Sequence, residues 1–169
     1  MIVLSILSLI ISFLIQGISS NYFNFGLRTV SLFLTIYPII NLLIITPHFE
    51  NNKKLLLIVM ITGFLVDTVY TNTFILNACI FVAVFYIAKY FHFFFPYNLL
   101  TINISCIISI MLYHIISFLF LSIIRYDSYS IQILFKILSH SILMTIIYTS
   151  ILYLIIEGIV NKLELKEVK

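Results

Sequence analysis

The feature that most constrains this chain is a series of long apolar runs separated by short polar breaks. Charged residues make up only 9% of the 169 residues, whereas an ordinary soluble domain has about 25%. A helix needs about 20 mainly apolar residues to cross the hydrocarbon core of a bilayer, and the runs are close to this length. The polar residues are too few to cover a soluble globule, so the sequence excludes a free soluble domain and predicts a polytopic membrane protein.

The apolar runs predict an all-α fold with six transmembrane helices, in a single membrane domain of residues 1–169. Lipid offers no partner to an unpaired backbone amide, so a spanning segment must be a helix or part of a closed barrel. Barrel strands alternate in polarity, and these runs do not. The predicted transmembrane helices are 2–19, 29–46, 55–71, 74–91, 98–124 and 131–157. Because only a few residues separate the third from the fourth, we expect these two helices to form a tight antiparallel hairpin.

The distribution of basic residues predicts that both termini lie in the cytoplasm, because loops on that side carry an excess of Lys and Arg. With this orientation the cytoplasmic side has six basic residues and the outer side has three: Lys53, Lys54, Lys89, Lys162, Lys166 and Lys169 against Arg28, Arg125 and Lys136. The bias is moderate, so the inverted topology remains open. The protein is expected in a cell membrane, in contact with membrane lipid.

The sequence carries no pattern that indicates catalysis. It has neither the HExxH motif of zinc enzymes nor the GxSxG motif of a nucleophilic serine, and its four glycines are isolated. The net charge of +3 is small and the basic residues are scattered, so nucleic-acid binding is not expected. Cys79 and Cys106 lie in apolar runs and are expected to be buried hydrophobic residues. We therefore expect no enzyme, no cofactor and no metal.

Asp67 is the only acidic residue well inside a predicted span, where an ionisable group costs ~2.5–3.5 kcal/mol on insertion scales. Gly63 lies one turn earlier on the same helix face, where the missing side chain lets another helix approach closely. In one interpretation Asp67 takes part in transport or in recognising a partner. In the other it accepts hydrogen bonds from a neighbouring helix or from the turn that follows. The depths of His114 and His140 overlap with that of Asp67, and the sequence leaves open whether they pair with it.

The first predicted span has a stripe of small or polar side chains at intervals of three or four residues. Such a stripe is typical of a face that packs against another helix, either within the chain or in another subunit. The stripe consists of Ser5, Ser8, Ser12, Gln16 and Ser19. Near the outer end of the fourth span, Asn77 adds another polar side chain. Together with Gln16 and Asp67, Asn77 would place the polar side chains of the bundle toward the outer leaflet.

A distinct pattern surrounds the predicted hairpin. A basic loop at residues 53–54 leads into a span that carries Gly63 and Asp67. A short turn that contains Asn72 then precedes Leu-Asn-Ala at residues 76–78. This arrangement, over residues 53–91, resembles the signature region of the MreD family of rod shape-determining proteins. The candidate structural or partner-binding residues are therefore Ser5, Ser8, Ser12, Gln16, Gly63, Asp67, Asn72 and Asn77.

The resemblance implies a non-enzymatic scaffold subunit of the cell-elongation machinery in the bacterial plasma membrane. Its implied partners are MreC, the actin-like MreB filament, RodA and a class B penicillin-binding transpeptidase. The family's fold is similar to that of substrate-capture subunits of energy-coupling-factor vitamin transporters, which defines the alternative function. The short predicted outer loops favour the scaffold, since a vitamin pocket needs several convergent side chains. A small channel or proton-coupled transporter is the weakest alternative.

Overall fold

A computed structural model of the protein describes residues 2–22, 36–48, 52–71, 73, 75–123 and 131–162. The secondary structure in these ranges is entirely helical and includes no strand, which confirms the all-α class. The helices are α1 (Ile2–Tyr22), α2 (Tyr37–Ile45), α3 (Asn52–Val66), α4 (Leu76–Phe94), α5 (Leu99–Ile123) and α6 (Ile131–Lys162). A 3₁₀ turn at Thr46–His48 continues α2, and a π-helical turn at Asp67–Thr71 continues α3.

Four helices in the described ranges are long and apolar enough to cross a membrane, and a shorter apolar helix covers Ser5–Ser19. The four candidate spans are Lys53–Thr71, Leu76–Phe94, Leu99–Phe120 and Leu134–Lys162. These helices are compatible with a membrane protein. The predicted second span, 29–46, is described only from Ile36 onward, and its first seven residues lie outside the described ranges.

The short helix α2 lies at the centre of the bundle. It packs against α1, α4, α5 and α6, and all nine of its residues are buried. Nine helical residues extend only about 14 Å, less than half of the ~30 Å hydrocarbon core of a bilayer. Tyr37 and Ile45, the first and last residues of α2, are both buried, so the unpaired backbone groups at each end need partners within the protein.

The bundle buries hydroxyl groups and exposes aliphatic side chains. Buried serines and threonines follow the inner faces of α5 and α6, among them Ser105, Ser109, Ser141, Thr145 and Thr149. The outer faces carry large apolar residues instead. This distribution is the one expected in lipid, where small polar residues let helices pack closely.

The bundle has two ends, which we call the Asp67 end and the Glu157 end after a residue near each. At the Asp67 end, the π-helical turn that continues α3 finishes at Thr71 and α4 begins at Leu76, so α3 and α4 pack as an antiparallel hairpin. At the Glu157 end, α2 finishes, the chain turns from α4 into α5, and the last turns of α6 pack nearby.

Candidate functional site

The beginning of α4 is capped by a side chain from another helix. Its own N-cap residue, Ile75, makes no side-chain capping hydrogen bond. Instead Asp67 Oδ1 accepts from the backbone N–H of Asn77 at 2.9 Å, and Asp67 Oδ2 accepts from that of Ala78 at 3.1 Å. These amides belong to the first turn of α4, where a preceding Ser, Thr, Asp or Asn usually caps the helix. Asp67 supplies this cap from α3.

Side chains complete the surroundings of this carboxylate. Asp67 is fully buried, and its Oδ1 also accepts from the hydroxyl of Thr73 and from Asn77 Nδ2. Asn77 Nδ2 donates further to Thr71 Oγ1 at 2.9 Å, and the Tyr113 hydroxyl of α5 donates to Asn77 Oδ1. We call Asp67, Thr71, Thr73, Asn77 and Tyr113 the carboxylate cluster. It joins α3, α4 and α5 through hydrogen bonds.

Gly63 brings the backbones of α3 and α4 together one turn before the cluster. A Cβ atom built on Gly63 would lie 2.5 Å from Ala78 Cα and 2.9 Å from its backbone nitrogen. Real Cβ contacts are never this short, and the obstructing atoms are backbone. The backbone of α4 therefore occupies the space that any other residue at this position would need for its side chain.

Ile75 holds a strained backbone conformation next to the cluster. Its φ of 65° is in the left-handed region, which is unusual for a β-branched residue and costs about 1–2 kcal/mol. Such a conformation persists where the surrounding structure overdetermines it. Here the hydrogen bonds of Asp67 and the close contact at Gly63 fix both sides of the turn.

Tyr70 ties this end of the hairpin to α1. Its hydroxyl donates to the carbonyl of Phe13 at 2.6 Å and accepts from the backbone N–H of Gly17. An α-helix normally pairs these two backbone groups with each other. The Tyr70 hydroxyl reaches them because Gly17 has no side chain, since a Cβ there would lie 3.0 Å from the hydroxyl oxygen.

The polar stripe of α1 faces α2 and α6 within this chain. Ser12 Oγ donates to the Ser8 carbonyl, accepts from Asn41 Nδ2 at 2.8 Å and lies 2.7 Å from the Tyr148 hydroxyl. Gln16 Oε1 accepts from the backbone N–H of Tyr37 at 3.0 Å, which caps the buried beginning of α2. The stripe residues Ser5, Ser12 and Gln16 are buried and Ser8 is half-buried.

Tyr97 performs the equivalent role at the other end of α2. Its hydroxyl donates to the carbonyl of Ile44 at 3.0 Å, and His48 Nε2 lies 3.2 Å from the same hydroxyl. His48 Nε2 also lies 3.6 Å from Glu157 Oε1 on α6. Burial, and then the nearby Glu157 carboxylate, raise the pKa of Tyr97, so the hydroxyl remains protonated and available as a donor.

The two histidines of the predicted spans have different surroundings. His114 is buried, and its ring lies against Tyr113 with centroids 5.5 Å apart. His140 is exposed on α6, and its Nδ1 lies 2.8 Å from the Lys136 carbonyl oxygen. Thr73, Asn77 and Ala78 supply the four hydrogen bonds described for the Asp67 carboxylate, so none of the four comes from a histidine.

The structure brings three of the sequence-predicted residues into one contact, namely Gly63, Asp67 and Asn77. The α1 stripe forms a separate contact with α2 and α6, and Asn72 lies outside the described residues. Sequence reasoning missed Tyr113 and Tyr97, although both complete polar contacts between helices. Among the described residues, no group of three or more His, Cys, Asp or Glu side chains could hold a metal ion.

Comparison of this chain with protein families, with curated proteins and with solved structures gives no match.

Proposed function

We propose that this chain is a non-enzymatic scaffold subunit of a bacterial cell-elongation machinery, similar to the MreD proteins. In this proposal it crosses the plasma membrane six times and has both termini in the cytoplasm. Its partners are a bitopic MreC-like protein, the MreB filament, RodA and a class B penicillin-binding transpeptidase. Its contribution is a fixed arrangement of helices to which the partners bind.

The contact of Gly63 and Asp67 with the first turn of α4 is the observation that carries this proposal. These residues belong to the pattern that resembles the family's signature region, and they meet at a single junction. The junction combines a direct backbone contact with four hydrogen bonds to one buried carboxylate. Such an arrangement favours a rigid shape that a partner can recognise, because few torsions at the junction remain free to change.

The same contacts argue against transport through Asp67. A carrier of protons or ions must change the charge or the ligands of its acid during each cycle. The four donors around Asp67 include two backbone amides of α4, which cannot move away without disturbing the helix itself. A vitamin-capture subunit would need convergent side chains directed into an outward pocket. The polar side chains of the carboxylate cluster are directed toward one another instead.

The described lysines support the proposed orientation. Lys53 and Lys54 lie in the first turn of α3, Lys89 lies in the last turns of α4, and Lys162 ends α6. All four therefore lie toward the Glu157 end, whereas Lys136 lies toward the other end of α6. The positive-inside rule places the lysine-rich end in the cytoplasm.

Cysteine labelling tests the orientation. In a variant with Cys79 and Cys106 replaced by serine, a cysteine at Asn72 should react with an impermeant maleimide added to intact cells. A cysteine at Lys166 should react only after the membrane is permeabilised. The reverse pattern would show that the protein has the inverted topology.

Co-purification tests the function. A tagged chain solubilised in mild detergent should retain a bitopic MreC-like protein at near-stoichiometric amounts. Recovery of a pair of ATPases with a coupling membrane subunit, in place of that protein, would contradict the scaffold and support the vitamin-capture alternative. The Gly158→Ala variant, in which the added Cβ meets no atom within 4 Å, serves as the control and should retain the same partner.

A further inference from the structure

Two polar atoms in the middle of the bundle are buried without a hydrogen-bond partner among the described residues. They are Oδ1 of Asn41 on α2 and Oγ1 of Thr145 on α6. Both residues are fully buried, at 0% exposed. Buried polar groups of folded proteins are almost always hydrogen-bonded, either to the protein or to ordered water. Unpaired oxygens on two helices that pack against each other therefore indicate a bound partner.

The hydroxyl of Thr145 is turned away from its own helix. A helical threonine can donate to the carbonyl four residues earlier, which for Thr145 is the carbonyl of Ser141. Thr145 makes no such bond, although four other threonines of the described ranges do, namely Thr46, Thr62, Thr68 and Thr71. The Thr145 hydroxyl therefore faces the buried interior rather than its own backbone.

A chain of side chains places Asn41 beside the same part of α6. Asn41 Nδ2 donates to Ser12 Oγ at 2.8 Å, and Ser12 Oγ lies 2.7 Å from the Tyr148 hydroxyl. Tyr148 follows Thr145 by three residues, so the two side chains are neighbours on α6. Because helical side chains lean toward the preceding turn, the Tyr148 hydroxyl extends back toward Thr145. Asn41 Oδ1 and Thr145 Oγ1 thus belong to one contact between α2 and α6 without bonding each other directly.

The position of this contact favours a small neutral ligand. Thr145 follows Lys136 by nine residues and precedes Glu157 by twelve, which is about 14 Å and about 18 Å along the helix. The ligand must therefore be enclosed, far from both ends of α6. The two acidic side chains in the described part of the chain, Asp67 and Glu157, lie at opposite ends of the bundle. A cation at Thr145 would have no counter-charge, and an unpaired buried charge is strongly destabilising.

We propose that one enclosed water molecule joins Asn41 Oδ1 to Thr145 Oγ1 and so ties α2 to α6. The amide oxygen only accepts hydrogen bonds, whereas the hydroxyl both donates and accepts, and water matches both groups. Internal waters typically bind polar groups that the protein itself leaves unpaired. This inference concerns how α2 is held at the centre of the bundle, and it does not depend on the scaffold role.

Infrared difference spectroscopy detects such a water directly. The purified protein in detergent is measured in deuterated water with ordinary oxygen and with the heavy oxygen isotope, and the difference isolates the O–D stretching bands of enclosed water. The unmodified protein should show a band that disappears in Thr145→Val and persists in Thr62→Val. Thr62 is the matched control, because it is a buried threonine whose hydroxyl bonds to carbonyls of its own helix.

The melting temperature provides an independent measurement. Valine has nearly the shape of threonine but lacks the hydroxyl. If the hydroxyl holds a water, Thr145→Val should lower the melting temperature by about 2–4 °C, whereas removal of an unpaired hydroxyl would leave it unchanged or raise it. In an Asn41→Leu background, Thr145→Val should lower the melting temperature no further, because the water has already lost its other partner. Thr62→Val should have the same effect in both backgrounds.

The proposal is wrong if Thr145→Val melts at the same temperature as the unmodified protein or above it, or if every enclosed-water band persists in that variant. Should Asn41→Leu fail to fold, these two results still decide, since Thr145→Val keeps the shape of the core. A cation would give a different result. Sodium chloride would then raise the melting temperature of the unmodified protein, but not that of Thr145→Val, relative to choline chloride at the same ionic strength, and this outcome would also overturn the proposal.

Discussion

Replacing Gly63 by alanine is expected to lower the stability of the bundle by about 2–3 kcal/mol, the upper part of the range for overpacking a core. The new Cβ would lie 2.5 Å from Ala78 Cα. The three nearest atoms, Ala78 Cα, Ala78 N and Asn77 O, all belong to the backbone. No side chain can therefore rotate aside, and α3 must move away from α4. This movement would also lengthen the hydrogen bonds from the first turn of α4 to Asp67.

Thermal unfolding of the purified protein in detergent measures this effect. A loss of 2–3 kcal/mol lowers the melting temperature of a chain of this size by roughly 5–10 °C. The matched control is Gly158→Ala, because a Cβ there meets no atom within 4 Å. Alanine should leave stability unchanged at that position or raise it by up to about 1 kcal/mol. Equal melting temperatures for Gly63→Ala and the unmodified chain would show that the two helices do not pack this closely.

The junction of α3 and α4 could be predicted from the sequence because its main residues carry local signals. A carboxylate in an apolar span is costly and demands hydrogen-bond donors. A glycine one turn away indicates a close helix contact. With a turn only a few residues long, the donors had to come from the turn or from the next helix. The prediction therefore needed little knowledge of the rest of the fold.

The partners of α2 could not be predicted in the same way. Tyr97 and Tyr148 occur in or beside apolar segments, where tyrosine is common for several reasons. Their bonds to Ile44 and Ser12 join residues 53 and 136 positions apart. Such pairs depend on which helices become neighbours, and a single sequence of apolar spans does not determine that arrangement.

The central position of α2 could not be predicted from the sequence for a related reason. A helix that is apolar on all sides can face lipid or be buried among other helices, and its periodicity does not distinguish these cases. The pattern of the run that includes α2 therefore predicts a span like the others. Gln16 accepts a hydrogen bond from the first residue of α2, and Asn41 of α2 donates one to Ser12. These polar residues indicate that α2 is buried only once their partners are known.

Substitution of Asp67 is expected to have the largest effect in the chain, and its size should depend on the replacement. Leucine would leave the backbone N–H groups of Asn77 and Ala78 without partners, together with two side-chain donors. A buried unpaired group costs about 1–3 kcal/mol, so Asp67→Leu should lose about 4 kcal/mol or more and should abolish partner capture.

Asparagine should give an intermediate result. It keeps one acceptor oxygen, but its amide nitrogen must face either the Ala78 N–H or the three donors around Oδ1. Orientation toward Ala78 preserves more bonds, so Asp67→Asn should lose about 1–2 kcal/mol and keep most partner capture. The control is Glu157→Gln, because Glu157 is partly exposed and its described ion pair is with His48 alone. The Glu157→Gln substitution should change the free energy of unfolding by less than about 1 kcal/mol.

Three measurements at matched membrane abundance distinguish a structural role of the carboxylate from a role in transport. They are the cell width, the recovery of the MreC-like protein and the melting temperature. A structural cap predicts that all three readouts follow the order Asp, Asn, Leu, because each loss follows from the number of donors left unpaired. A proton or ion carrier predicts a different pattern, because its mechanism requires the charge to change. In that case Asp67→Asn would remain well folded yet fail as completely as Asp67→Leu in cells, and the scaffold role of Asp67 would have to be abandoned.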